Sequence, residues 1–115
     1  MTTLLDDQRL DAVFTALSDR TRRDILARLS AGEATVTELA EPYAMSLQAV
    51  SQHLAVLERC GLISRERHRQ TRPCRLDPAA LDEAVSWIER SRLTWSERMD
   101  RLEAHLARRQ EAETP

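Results

Sequence analysis

Residues 46–60 read Ser46-Leu47-Gln48-Ala49-Val50-Ser51-Gln52-His53-Leu54-Ala55-Val56-Leu57-Glu58-Arg59-Cys60, and Gly61 follows. Leu47, Val50, Leu54 and Leu57 recur at intervals of three and four, which predicts a helix with that face turned inward. The opposite side carries Gln48, Ser51, Gln52, Ala55 and Arg59 and holds no acid before Glu58. A helix lying in plain solvent is ordinarily laced with both charge signs. Amides and hydroxyls in their place suit a surface that reads base edges.

Working outward, the flanking segments supply support for such a helix. Thr35-Val36-Thr37-Glu38 has capping-box spacing and opens a short helix that Pro42 ends. Ser46 can cap the next helix, with Met45 and Val50 at staple positions. Two helices joined by a tight turn, the second longer and polar outside, make a helix-turn-helix over 35–61. Upstream, Leu10, Val13, Phe14 and Leu17 predict a helix over roughly 6–17, and Asp19 can cap a second one running to about Ser30. Downstream, the alternation in 62–68 and 72–76 predicts a β-hairpin with a basic tip, a wing, whose second strand Pro73 confines to an edge.

Asp77-Pro78 then starts the last helix, predicted over 78–109, with a polar, frayed tail from Arg108 to Pro115. Leu81, Ile88, Trp95 and Leu102 repeat every seven residues. Val85, Met99 and Leu106 form the interleaved series, with Arg92 as its one polar member. A chain of 115 residues, taken as a single domain, cannot bury so long a stripe alone, and a second copy is the simplest cover. The expected fold is therefore mainly α, five helices with a small β-hairpin between the fourth and fifth.

Composition narrows the function classes. There are four aromatic residues and two glycines, which favours an aliphatic helical core over a many-turned β fold. No apolar run is long enough to span a membrane, and Met1 to Asp7 do not read as a signal peptide. Two cysteines, Cys60 and Cys74, do not make a disulfide scaffold, so the expectation is a reduced, cytoplasmic protein. The net charge of −2 hides a segregation. Residues 1–45 hold 5 Arg and 8 acids, residues 46–76 hold 6 Arg and 2 acids, and residues 77–115 hold 6 Arg and 9 acids. A local +4 patch on an acidic body fits a compact reader of nucleic acid.

Taken together, these residues resemble the ArsR-type winged helix-turn-helix repressors. The resemblance is carried by Leu17-Ser18-Asp19-Arg20-Thr21-Arg22-Arg23-Asp24-Ile25-Leu26, by Thr37-Glu38-Leu39-Ala40, by Met45-Ser46 with Val50-Ser51-Gln52-His53-Leu54, and by Leu57-Glu58 with Gly61-Leu62-Ile63. The subgroup it most resembles lacks metal ligands and often represses its own gene. The resemblance implies a homodimer held by the first and last helices, with the fourth helix of each subunit in the major groove. Arg20, Gln48 and Gln52 stand where such proteins often have Pro, Pro and Lys, so the surface facing DNA is this chain's own. At the wing the usual tip glycine is missing, and Pro73-Cys74 replaces an aromatic pair.

The candidate contacts to double-stranded DNA follow from residue chemistry. Gln48 and Gln52 can each bond adenine through two atoms, and the small Ala49 permits close approach to a thymine methyl. Ser46 and Ser51 can bond phosphate or base, although Ser46 also suits a cap. Thr35 and Thr37 open the helix expected to cross the backbone, with capping as the competing role of Thr35. His53 lies between the two faces, as a packed or phosphate-bonding side chain. Arg65, Arg67, Arg69 and Arg72 are the wing's candidates for phosphate or the minor groove, the first three sharing a face by alternation. Arg22 and Arg23 are expected in ion pairs with acids. Dimerisation is expected through Leu10, Phe14, Leu81, Val85, Ile88, Trp95, Met99 and Leu102.

Three rival readings compete with this one. A metal sensor needs clustered ligands, and His53, His68, His105, Cys60 and Cys74 are widely spaced, so neither a metal nor a cofactor is expected. A thiol switch at Cys60 and Cys74 competes with two inert packed thiols. A winged helix kept only for protein interaction would need no basic patch. No nucleophile–base set or phosphate-cradling glycine loop suggests an enzyme. The reading is a homodimeric DNA-binding repressor whose two recognition helices stand about one DNA turn, roughly 34 Å, apart on an inverted repeat.

Overall fold

The computed structural model describes residues 4–66 and 72–113, with side chains from Asp7 onward. The element order is α1 (Leu4–Leu17), α2 (Arg20–Leu29), α3 (Val36–Ala40), α4 (Leu47–Arg59), β1 (Ile63–Arg65), β2 (Cys74–Leu76) and α5 (Pro78–Glu113). Five helices and a two-stranded antiparallel hairpin are the architecture expected from the sequence. Two boundaries move. α1 begins at Leu4 rather than near residue 6, and α5 continues to Glu113 through a tail expected to fray from Arg108. The chain falls into two compact units, Met1–Ala84 and Val85–Pro115.

The helices from α2 to α5 each start on a capping side chain. Asp19 accepts a hydrogen bond from the Arg22 amide at 3.0 Å and caps α2. The capping box of α3 is complete: Glu38 N donates to Thr35 Oγ1, and Thr35 N donates to Glu38 Oε1. Ser46 Oγ accepts from Ala49 N at 3.1 Å, and Asp77 Oδ1 accepts from Ala79 N at 3.1 Å. α4 ends in a Schellman motif, with Leu62 N donating to Leu57 O and Gly61 N to Glu58 O. That ending puts Gly61 at φ +85°, a conformation that side chains with a Cβ rarely adopt.

The core of the first unit is almost wholly aliphatic. Val50, Leu54 and Leu57 of α4 are completely buried, beside Ile25, Leu39, Leu62 and Cys74. Burying each of the α4 side chains contributes about 1.5–3 kcal/mol. α4 packs on α1, α2, α3 and β1, so it is the element that the others surround. Among the described residues no polar side chain is buried in this core.

The hairpin is shorter than the predicted 62–68 and 72–76. Its register pairs Ile63 with Leu76 and Arg65 with Cys74, and Glu66 N adds one more bond to Pro73 O. The rest of the predicted first strand and the tip, residues 67–71, lie outside the described residues. β2 is also not a bare edge. Cys74 N donates to Ala34 O at 2.7 Å and Ala34 N to Cys74 O at 3.1 Å, a bridge on the side away from β1. Pro73 stands just outside that bridge, so its missing N–H costs no ladder bond.

The Asp19 cap carries a prediction with a pH signature. Hydrogen bonding from the Arg22 amide, with smaller help from the charges of His53 and Arg22, holds the Asp19 carboxyl below its ordinary 3.8, against a raising effect of burial. A depressed carboxylate contributes stability above its unfolded pKa and loses it as pH falls through the folded value. Asp19→Ala should therefore cost about 1 kcal/mol in urea unfolding at pH 7. The gap to the wild type should shrink on going below pH 3.8.

Candidate nucleic-acid interface

α4 presents Gln48 and Gln52 exposed to solvent, with Ala49, Ser51 and Ala55 half-buried beside them and Arg59 exposed at the far end. The two glutamines sit one turn apart on the side opposite the buried Val50, Leu54 and Leu57. One expected inward residue is not inward. Leu47 is 54% exposed. It is the first residue of α4, and a helical side chain covers the turn N-terminal to its own Cα, so at this position there is no turn beneath it to cover. The signal available in the sequence was its place directly after the Ser46 cap.

The hydroxyl groups differ in what they have left to offer. Thr35 Oγ1 both accepts from Glu38 N and donates to Glu38 Oε1, so it is committed to the cap. Ser46 Oγ uses an acceptor lone pair on Ala49 N. Thr37 is exposed on the first turn of α3.

His53 is held from the side of α2. Arg22 Nη1 lies 3.3 Å from His53 Nδ1, and Asp19 Oδ2 lies 3.8 Å from the same nitrogen. A guanidinium only donates, so toward Arg22 Nδ1 serves as an acceptor, whereas toward Asp19 it serves as a donor; the ring's tautomer decides which. Arg22 also donates through Nε to Ala16 O at 2.8 Å and through Nη2 to Thr15 O at 3.0 Å. Arg23 donates to Leu17 O at 2.7 Å. These two arginines thus close the carbonyl end of α1 instead of pairing chiefly with acids, because that end offers unsatisfied acceptors within reach.

A third arginine, which the sequence pattern did not single out, fixes the turn. Arg28 donates to Leu39 O at 2.8 Å and Glu38 O at 3.0 Å, at the end of α3, and its guanidinium lies 5.5 Å from the Tyr43 ring centre. The Tyr43 hydroxyl donates to Asp24. Burial, and then that carboxylate, push the Tyr43 hydroxyl above its ordinary pKa. α2, α3 and the residues leading into α4 are thereby pinned together.

The wing candidates divide. Arg72 is exposed, with φ +42°. Arg65 is not on the outer face. It alternates with the exposed Ser64, shares the side of the buried Ile63, and faces Cys74 in the register. Its Nε is buried without a hydrogen-bond partner. Burial pushes the Cys74 thiol up, and Arg65 works in the opposite direction. Arg67, Arg69 and His68 lie outside the described residues. Arg75, not among the expected contacts, is exposed and stands 3.8 Å from Glu33. Of the expected dimer residues, Leu10, Phe14 and Leu81 pack partly against the core, whereas Val85, Ile88, Trp95, Met99 and Leu102 are exposed. Among the described residues no three His, Cys, Asp or Glu stand together as a metal site, and no helix is long and apolar enough to cross a membrane.

Comparison with known proteins bears on this arrangement. A helix-turn-helix domain family matches residues 17–66. The chain is 34% identical over 79 residues to the transcriptional repressor SdpR of Bacillus subtilis (strain 168), covering 69% of this chain and 88% of that one. An ArsR-like transcriptional regulator from Rhodococcus sp. RHA1 superposes with a TM-score of 0.75 at 31% identity, over 84% of this chain and 92% of the other. The chain belongs to the ArsR family of transcriptional regulators. It is a DNA-binding regulator of the winged helix-turn-helix fold. A homodimeric winged helix-turn-helix domain from Mycobacterium bovis, 24% identical with a TM-score of 0.59 over 73% of this chain and 80% of that one, shares the fold.

The Arg22 cluster yields a test of its role as scaffold. Arg22→Ala should lower unfolding stability by roughly 1–3 kcal/mol, since it strands two carbonyls at the end of α1. The salt dependence of DNA binding, read by fluorescence anisotropy, should keep its slope, as no phosphate contact is lost.

Proposed function

We propose that this ArsR-family regulator is a homodimeric repressor acting in the cytoplasm, with α4 of each subunit in the major groove of an inverted-repeat operator. The observation that carries the reading is the division of α4. Its inner side chains are completely buried, while Gln48 and Gln52 stand exposed on a stretch of the helix that carries no acid before Glu58. Repression follows from occupying promoter DNA. Two copies place their α4 helices about one turn, roughly 34 Å, apart.

Gln48 and Gln52 read base edges, adenine being the natural partner of a bidentate amide. Leu47 and Ala49 stand beside them as apolar contacts for thymine methyl groups, with Ser51 and His53 Nε2 as further polar contacts. Ser46 donates its hydroxyl proton to a phosphate while its oxygen serves the cap. Thr37 takes a second phosphate, and Thr35 acts mainly through the cap that orients it. Arg72, with Arg67 and Arg69 from the tip, grips flanking phosphates, and Arg65 supports the wing from within. The partner subunit covers Val85, Ile88, Trp95, Met99 and Leu102, with Leu10, Phe14 and Leu81 at the margin.

Selection of bound sequences from a random duplex pool at two salt concentrations tests this directly. An inverted repeat should emerge. Enrichment of nothing at either salt would remove the reading. On the selected site, Gln52→Ala should cost about 1–3 kcal/mol and relax preference at one position of each half-site. Arg72→Ala should weaken binding to all sequences alike and reduce the slope of log affinity against log salt by about one for each subunit.

A further inference from the structure

α3 is five residues long, and a helix of that length does not hold together on its own hydrogen bonds. Leu39 is its one completely buried side chain, with Val36 and Ala40 packed partly against the core. Yet α3 carries the exposed Thr37, whose hydroxyl takes a phosphate in the reading above. A contact of that kind must be held to within about 0.5 Å to be productive. α4 is anchored by three completely buried side chains, whereas α3 needs a second fastening.

Arg28, on α2, supplies one. Its Nη1 donates to Leu39 O at 2.8 Å and its Nη2 to Glu38 O at 3.0 Å. Carbonyls at a helix end lack partners within the helix, and two donors on one rigid plane fix direction as well as distance. The same guanidinium lies 5.5 Å from the centre of the Tyr43 ring, in the segment that leads from α3 into α4. The Tyr43 hydroxyl donates to Asp24, one turn before Arg28 on α2. Two neighbouring positions of α2 therefore hold the end of α3 and the turn after it at once.

A direct contact between Arg28 and DNA is the competing role, and the surroundings oppose it. The side chain is half-buried, and each terminal nitrogen already serves a carbonyl. The cleft that Arg28 lines also has Glu33, Glu38 and Glu41 in its wall, and their charges repel a phosphate.

We propose that Arg28 is a positioning residue for DNA binding, which holds α3 in place beside α4 so that the Thr37 hydroxyl meets its phosphate, and which touches no nucleotide itself. The inference rests on the phosphate contact proposed for Thr37 and adds the side chain on which that contact depends. Gln48 and Gln52 do not share the dependence, because Val50, Leu54 and Leu57 hold α4 in the core. Loss of Arg28 thus weakens binding without changing which bases are preferred.

A double-mutant cycle tests this by fluorescence anisotropy on the selected duplex, at a temperature where circular dichroism shows every variant folded. Thr37→Ala should weaken binding about tenfold, the loss of one hydrogen bond to a charged group. Arg28→Ala should weaken it to a similar extent, with base preference kept and the slope of log affinity against log salt unchanged. On the Thr37→Ala background, Arg28→Ala should cost less than about threefold. Arg28→Lys keeps the charge without the planar pair of donors; it replaces the alanine variant if that one does not fold, and should show the same pattern at smaller size. A reduced salt slope would put Arg28 on a phosphate and overturn the proposal. An undiminished loss on the Thr37→Ala background would overturn it too, since the two residues would then act independently. So would an Arg28 variant that melts earlier but binds as the parent does. If Thr37→Ala itself binds like the parent, the phosphate contact assigned to Thr37 falls and this inference with it, a failure distinct from that of Arg28 alone.

Discussion

The complete burial of Val50, Leu54 and Leu57 is the constraint on which the interface depends. These side chains leave α4 no freedom to rotate about its axis, because a turn of the helix would expose aliphatic surface worth several kcal/mol. Fixing the inner face fixes the outer one, and Gln48 and Gln52 are outward for that reason. Rows of caps and carbonyl bonds around α4 then decide its tilt, from Ser46 at its start to the Schellman ending at Gly61.

Two groups of arginines among the described residues serve different ends. Arg22, Arg23 and Arg28 are turned to backbone carbonyls at the ends of α1 and α3, where their several donors satisfy acceptors that a helix terminus leaves open. Arg72 and Arg75 are exposed on the hairpin. A sum of charges by segment treats the two kinds alike, although the first is already committed to main-chain acceptors.

What could be read from the sequence follows the range of the interactions involved. The caps at Asp19, Thr35, Ser46 and Asp77 act within three residues, and each was legible as a local pattern. The element order and the division of α4 followed from periodicity. The errors lie where distant segments meet. Arg65 reads as an outward wing residue until its register with Cys74 is known. The role of Pro73 looked like that of an edge marker because the bridge from Ala34 spans forty residues of sequence. Leu47 failed for a local reason, since periodicity takes no account of where the first turn begins. Arg28 and its carbonyl partners left no pattern at all, because a main-chain acceptor has no letter.

The bridge between Ala34 and Cys74 has an evolutionary consequence. It joins the stem of the hairpin to the residue ahead of the α3 cap, so the length of chain on either side of it is fixed by two hydrogen bonds and a register. Insertions or deletions at 31–34 or 73–76 would slip that register and turn Cys74 out of the core. Drift among descendants of this protein should therefore leave the residue count of that stem unchanged, even where its side chains vary.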